Sequence, residues 1–140
     1  MIQTLTGINS TASALAAERV RMEVITQNIA NANTTRGVDG GPYQRQHVVF
    51  ENVLSQAQGI GSGPQTVGVA RIEKDQRPPR LIFSPGHPDA NAEGMVAAPN
   101  ISIHEEMADL IVASRAFEAN LAVVKNARAM AMQTLSIGKR

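Results

Sequence analysis

Three histidines, His47, His87 and His104, are the side chains of this 140-residue chain that could ligate a metal or carry a proton near neutral pH. No two stand four residues apart and none sits in a His-Glu-x-x-His arrangement, so no zinc site on one helix face results. His104-Glu105-Glu106 reads instead as the first turn of a helix, where acidic residues meet the positive end of the helix dipole. Carboxylates at Asp89 and Glu93, or at Glu105, Glu106 and Asp109, could be drawn as an acid–base pair. No nucleophile, histidine partner or apolar pocket goes with them, and they read as solvated surface. Gly59-x-Gly61-x-Gly63 has the outline of a phosphate loop but lacks the Gly-Lys-Ser/Thr ending and a preceding apolar strand, so a flexible loop is the simpler reading. Asn9-Ser10-Thr11 and Asn33-Thr34-Thr35 match glycosylation acceptors, the first inside a helical pattern, and read as chance matches.

Composition closes further routes. The chain has no Cys, which excludes disulfides, zinc–thiolate sites and cysteine nucleophiles. Its 13 Lys and Arg against 12 Asp and Glu give a net charge of +1, too small a pull for a nucleic-acid partner. No apolar run reaches the roughly 18 residues that span a bilayer, and the first 30 residues carry no Sec-type signal pattern, so the chain is expected to be neither membrane-spanning nor cleaved. No catalytic residue, cofactor-binding residue, cofactor or metal ligand is assigned, and the expectation is a protein that is not an enzyme. With no Trp, one Tyr and three Phe, it also has few large anchors for a compact core, which suggests an extended shape.

The elements that would hold these residues follow from where glycine and proline fall. Of the 18 Gly and Pro residues, 16 lie between Gly37 and Pro99, so the chain divides into a helical start, an irregular or β-rich middle and a helical end. From about Gln3 to Asn31, the apolar residues Leu5, Ile8, Ala12, Leu15, Met22, Ile25 and Ile29 recur at helical spacing, and Ile8, Leu15, Met22 and Ile29 keep strict heptad step. Asn31, Asn33 and Gly37 supply the stop. From about Ser102 to Ser136, Ile103, Leu110, Phe117, Val124 and Ala131 form a second heptad row, with Met107, Leu121 and Leu135 beside it and Ser102 or Asn100 as cap. Its other faces are rich in Ala and poor in charge, which close neighbours explain better than water does. Tyr43–Phe50, Thr66–Glu73 and Arg80–Phe83 read as strands between turn signals, and Gln58–Gln65 is flexible by composition.

The expected fold is α+β: long terminal helices paired as an antiparallel coiled coil, with a small β-rich, loop-rich segment inserted between them. Residues 1–33 and 102–140 would make one discontinuous helical unit and 34–101 the inserted segment. Both heptad sets run opposite one another if Ile8 faces Ala131, Leu15 faces Val124, Met22 faces Phe117 and Ile29 faces Leu110. Arg115 and Asn120 are hydrogen-bonding residues among small neighbours; in a packed helical tube they would lock subunit register, whereas on a solitary helix they would face water. A small globular α+β domain, a binding module that recognises one protein partner through its middle segment, remains the alternative.

The segment Asn28-Ile29-Ala30-Asn31-Ala32-Asn33-Thr34 resembles the amino-terminal Asn-Leu/Ile-Ala-Asn motif of bacterial flagellar axial proteins, the rod, hook and hook-associated subunits. Gly40-Gly41-Pro42-Tyr43 leading to Val48-Val49-Phe50 is a second matching segment, and Ser114-Arg115-Ala116-Phe117-Glu118-Ala119-Asn120 a third. Pro85-Gly86-His87-Pro88-Asp89-Ala90, with Gly94-Met95-Val96 and Pro99-Asn100-Ile101, is the fourth, and together they are similar to a family of proximal-rod subunits over essentially the whole chain. Met95 stands where the family usually has Tyr, and Phe117 where many members have Tyr. The resemblance implies an axial core built from the terminal helices and a middle segment that projects outward. It implies a structural subunit of a hollow, torque-transmitting rod in the periplasm, with homologous rod subunits and copies of itself as partners, and unfolded export through the flagellar type III apparatus without a cleaved signal. Helix-pairing residues would be Leu5, Ile8, Leu15, Met22, Ile25, Ile29, Met107, Leu110, Phe117, Leu121, Val124 and Leu135; subunit register would fall to Asn28, Asn31, Asn33, Arg115 and Asn120.

Overall fold

The computed structural model describes residues 2–37, 39–54 and 65–138, with side chains over 7–37, 39–52 and 66–138. The Leu5 side chain, the glycine loop at 59–63 and Lys139-Arg140 lie outside those ranges. The order is α1 (Ile2–Ala30), β1 (Gln46–Leu54), β2 (Gln65–Lys74), β3 (Arg80–Phe83), β4 (Met95–Ala98) and α2 (Ile103–Ile137). Two helices pack together, with a small two-sheet β segment between them in sequence.

Each helix begins and stops where its local chemistry directs. After Ala30 the chain turns: the Ala32 amide reaches back to the Ile29 carbonyl at 3.2 Å and the Thr34 amide to the Asn31 carbonyl at 3.0 Å, while the Asn31 amide group caps the Gln27 carbonyl at 2.9 Å. Ser102, extended at φ −96° and ψ 108°, caps α2 by accepting from the Glu105 amide, and Glu105 and Glu106 fill the first turn. The middle is two antiparallel ribbons, β1 with β2 and β3 with β4. In the first, Val49 pairs Arg71 but Phe50 pairs Val69, so Ala70 is the extra residue of a bulge that twists the ribbon. The strand β4 has no counterpart among the strands expected from sequence, because half of Met95-Val96-Ala97-Ala98 is alanine, a poor strand former. Glycine is required at Gly94, where φ is +74° and an added Cβ would stand 3.1 Å from Phe83 and 3.1 Å from Pro85.

The apolar core is thin and made of small side chains. Ala17, Val24 and Ile25 from α1, Ala32 from the turn after it, Val96, Ala98 and Ile101 from the approach to α2, and Ala113 are buried. The α1 heptad row Ile8, Leu15, Met22 and Ile29 is only half-buried. The deepest residues lie further round the helix because α1 is wedged between α2 and the β1–β2 ribbon, whose Val67 amide donates to Ser13 at 3.3 Å. On α2, Leu110, Phe117, Leu121 and Val124 are half-buried, Ala113 fully so, while Met107 and Leu135 are exposed.

The register also departs from the one expected. Putting Ile29 opposite Leu110 would set Asn28 opposite Ile111, yet Asn28 bonds Glu106. Five residues amount to about 7 Å along a helix. The displacement runs in the direction of a one-heptad slip and leaves α2 overhanging: every residue from Arg128 to Gly138, including Ala131, is exposed. A buried polar contact with fixed partners overrides a count of apolar layers, since a misplaced polar group costs more than an unfilled end layer.

Candidate functional site

A polar constellation joins three elements at one end of the helix pair. Asn28, in the last turns of α1, is 1% exposed. Its amide nitrogen donates to the Gln46 carbonyl at 2.8 Å and to Glu106 Oε2 at 2.9 Å; its amide oxygen accepts from the Gln46 amide at 2.9 Å and from the Tyr43 hydroxyl at 3.1 Å. An asparagine side chain offers two donors and two acceptor sites, and all are used within the chain. Glu106, fully buried at the start of α2, takes the Arg45 guanidinium on its other oxygen at 2.5 Å, and Arg45 also reaches Asp109 at 3.6 Å. A carboxylate this deep is tolerable only when both oxygens are bonded, as they are here. Burial, and then the Glu106 charge, push the Tyr43 hydroxyl above its ordinary range.

Sequence reading placed Glu106 on solvated surface; the structure overturns this, because Asn28 and Arg45 supply the partners that let it be buried. Arg45 and Tyr43 were missed as site residues. The signal available was Tyr43-Gln44-Arg45-Gln46, where one cation precedes a strand that has to lie on α1.

The remaining candidates scatter. Asp89 does not pair with the exposed Glu93: it accepts from the Thr35 hydroxyl at 2.8 Å, lies 3.7 Å from Arg36, and its amide donates to His87 Nδ1 at 3.1 Å, tying the turn after α1 to the β3–β4 connection. Asn31 accepts from the Thr34 hydroxyl at 3.2 Å and holds the α1 stop, and Asn33 is exposed. Arg115 is exposed, whereas Asn120 is half-buried on the side of α2 that carries Phe117 and Val124. Among the described residues no three His, Asp or Glu side chains gather as a metal site, and no helix is long and apolar enough to cross a membrane.

The comparisons agree with the motif order. Residues 8–36 match the family model for flagella basal body rod protein, and residues 92–137 that for the flagellar basal body rod FlgEFG protein C-terminal. The flagellar basal-body rod protein FlgC of Borreliella burgdorferi is 40% identical over 146 aligned positions, covering 93% of this chain and 94% of that protein. FlgC of Bacillus subtilis is 41% identical, covering 94% and 96%, and FlgC of Salmonella typhimurium is 38% identical, covering 91% and 92%. The chain belongs to the FlgC family. This is a family of structural rod proteins, not of enzymes. The two model matches fall on α1 with its stop and on β4 with α2, the two parts that the Asn28–Glu106 contact holds together, so the FlgC motif around Asn28 has a direct physical task in this fold.

Proposed function

We propose that this chain is a structural subunit of the proximal rod of the bacterial flagellum, assembling with homologous rod subunits and copies of itself into the hollow shaft that carries torque across the periplasm. Family membership over more than nine-tenths of the chain supports this. The observation in the fold that carries it is the far part of α2, where Met130, Met132, Leu135 and Ile137 are 60–72% exposed, an apolar helix end without cover from its own chain among the described residues. In this reading residues 1–33 and 102–140 form the axial core, the helices paired antiparallel, and 34–101 the outward segment. The chain performs no catalysis, binds no nucleic acid and is exported by the flagellar type III apparatus without cleavage. The helix-pairing role goes to Ile8, Leu15, Met22, Ile25, Ile29, Leu110, Phe117, Leu121 and Val124. Subunit register goes to Asn33, Arg115 and Asn120, since Asn28 has no hydrogen-bonding capacity left and Asn31 is engaged at the helix stop. Deleting the gene from a flagellated host and isolating basal bodies tests the reading: rods should be missing and motility lost. Normal basal bodies in the deletion strain would overturn it.

A further inference from the structure

Between the α1 stop and β1 the chain makes a tight turn. The Gly37 amide donates to the Gly41 carbonyl at 2.7 Å and the Gly40 amide to the Gly37 carbonyl at 3.0 Å; just beyond, the Tyr43 amide donates to the Thr34 carbonyl at 3.1 Å. Asp39 lies inside this turn with its side chain 85% exposed. Lys74 approaches it at 3.2 Å, but that cation is itself 56% exposed, and an ion pair wet on both sides restrains a side chain weakly. Gly40 follows at φ +79°, where an added Cβ would meet nothing within 4 Å. A residue without a side chain, in open space, leaves its own amide nitrogen unshielded. Asp39-Gly40 is also the only place in the chain where Asp or Asn precedes Gly. The other three aspartates are held or hindered. Asp75 is bonded by Arg77 and followed by Gln76, Asp89 accepts from Thr35 and is followed by Ala90, and Asp109 lies within α2 before Leu110.

We infer that Asp39 is a site of spontaneous isoaspartate formation that loosens the link into β1 and presents a substrate to an isoaspartate-repairing carboxyl methyltransferase. The Gly40 amide nitrogen attacks Cγ of the Asp39 carboxyl in its protonated form. The N–Cγ bond forms, and the amide proton and the carboxyl hydroxyl leave as water. Water then opens the five-membered imide. Addition at Cγ restores aspartate. Addition at the main-chain carbonyl carbon breaks that carbon's bond to nitrogen, so the chain now runs through Cβ and Cγ and a free α-carboxylate remains. In repair, an oxygen of that carboxylate takes a methyl group from a sulfonium donor, which leaves as a thioether. The rearranged link is one backbone carbon longer, and the two hydrogen bonds that close the turn cannot both keep their geometry across it. The neighbouring Tyr43–Thr34 bond then opens more often.

The purified full chain, fresh and after prolonged warm storage, is digested with trypsin, and the peptides are incubated with protein isoaspartyl methyltransferase and a labelled methyl donor. Cleavage after Arg36 and Arg45 isolates Asp39 in peptide 37–45, which holds no other Asp or Asn. Label should rise with storage in that peptide, accompanied by a form one water lighter, the imide. Asp39→Glu keeps the charge but cannot close a five-membered ring, so the stored variant should lose the label there. Hydrogen exchange of the Tyr43 amide should be faster in the stored native chain than in the stored variant. No rise of label in peptide 37–45, label concentrated at another Asp or Asn, or unchanged Tyr43 exchange in chains that carry isoaspartate would each overturn the inference. None of these outcomes bears on the rod-subunit reading, which stands or falls with the basal bodies of the deletion strain.

Discussion

The two ends of α2 are built on opposite principles. At its first turns, Glu106 is fully buried with both oxygens bonded, and Asn28 beside it has every donor and acceptor filled. From Arg128 to Gly138 every residue is exposed, although Met130, Met132, Leu135 and Ile137 are as apolar as any in the chain. The near end therefore fixes geometry inside the chain, and the far end leaves free energy of burial for a neighbour to recover. The polar lock is complete within one chain, and the exposed apolar end of α2 has no such fixed partners among the described residues.

The largest effect expected from breaking this contrast is at Glu106. Glu106→Ala strands the Arg45 guanidinium and one Asn28 donor, and removing one member of a buried ion pair costs about 3 kcal/mol or more. That is a large share of a typical 5–15 kcal/mol total stability, so urea unfolding of the purified chain should shift strongly. Glu105→Ala, one residue away and exposed, should stay within about 0.5 kcal/mol. Equal effects of the two would show that the lock does not hold the near end. A smaller loss is expected at Gly94, which lets the β3–β4 connection turn back towards that end. Gly94→Ala must adopt φ near +74° with its Cβ against Phe83 and Pro85, a strain of about 1–3 kcal/mol that thermal unfolding would read. At the far end the order of effects reverses. Leu135→Ala, at 64% exposure, should change monomer stability by less than about 0.5 kcal/mol while reducing rod assembly and swimming, and a stability loss like that of Glu106→Ala would erase the distinction between the ends.

Both helices and most of the strands were legible because they rest on local signals: heptad spacing from Ile8 to Ile29 and from Ile103 to Val124, the Ser102 cap, and the Gly and Pro residues between. What was not legible depends on contacts between positions far apart in sequence. Glu106 carries no mark of burial in its own helix, and its partners arrive from 78 and 61 residues away. Apolar periodicity alone is satisfied by any register that keeps the heptads facing. It therefore favoured four matched layers, and the structure instead follows the polar lock and leaves the Leu135 end unpaired. The family motif singled out Asn28 for subunit register, whereas in this fold its bonds all stay within the chain. Its task of joining α1 to β1 and α2 became visible only with its four bonds in place.

The smallest and most specific expectation concerns Tyr43, the chain's one tyrosine, whose ionisation can be followed alone by ultraviolet absorbance. Its hydroxyl donates to Asn28 at 3.1 Å, and burial first and the Glu106 charge second both disfavour the phenolate. The folded pKa is therefore raised above the unfolded one. The stabilisation tied to neutral Tyr43 is complete below the ordinary phenol value of about 10 and is lost as pH rises through the raised folded value. Native protein should thus titrate later than urea-unfolded protein, and it should begin to open on the alkaline side at the near end before the far helix end changes. Glu106→Gln keeps the size of the side chain and removes the charge, so it should lower the Tyr43 midpoint part of the way and leave the larger share, due to burial, in place. If native and unfolded Tyr43 titrate together, the near end is wetter than its hydrogen bonds imply, and the contrast with the exposed far end shrinks to a difference in apolar cover alone.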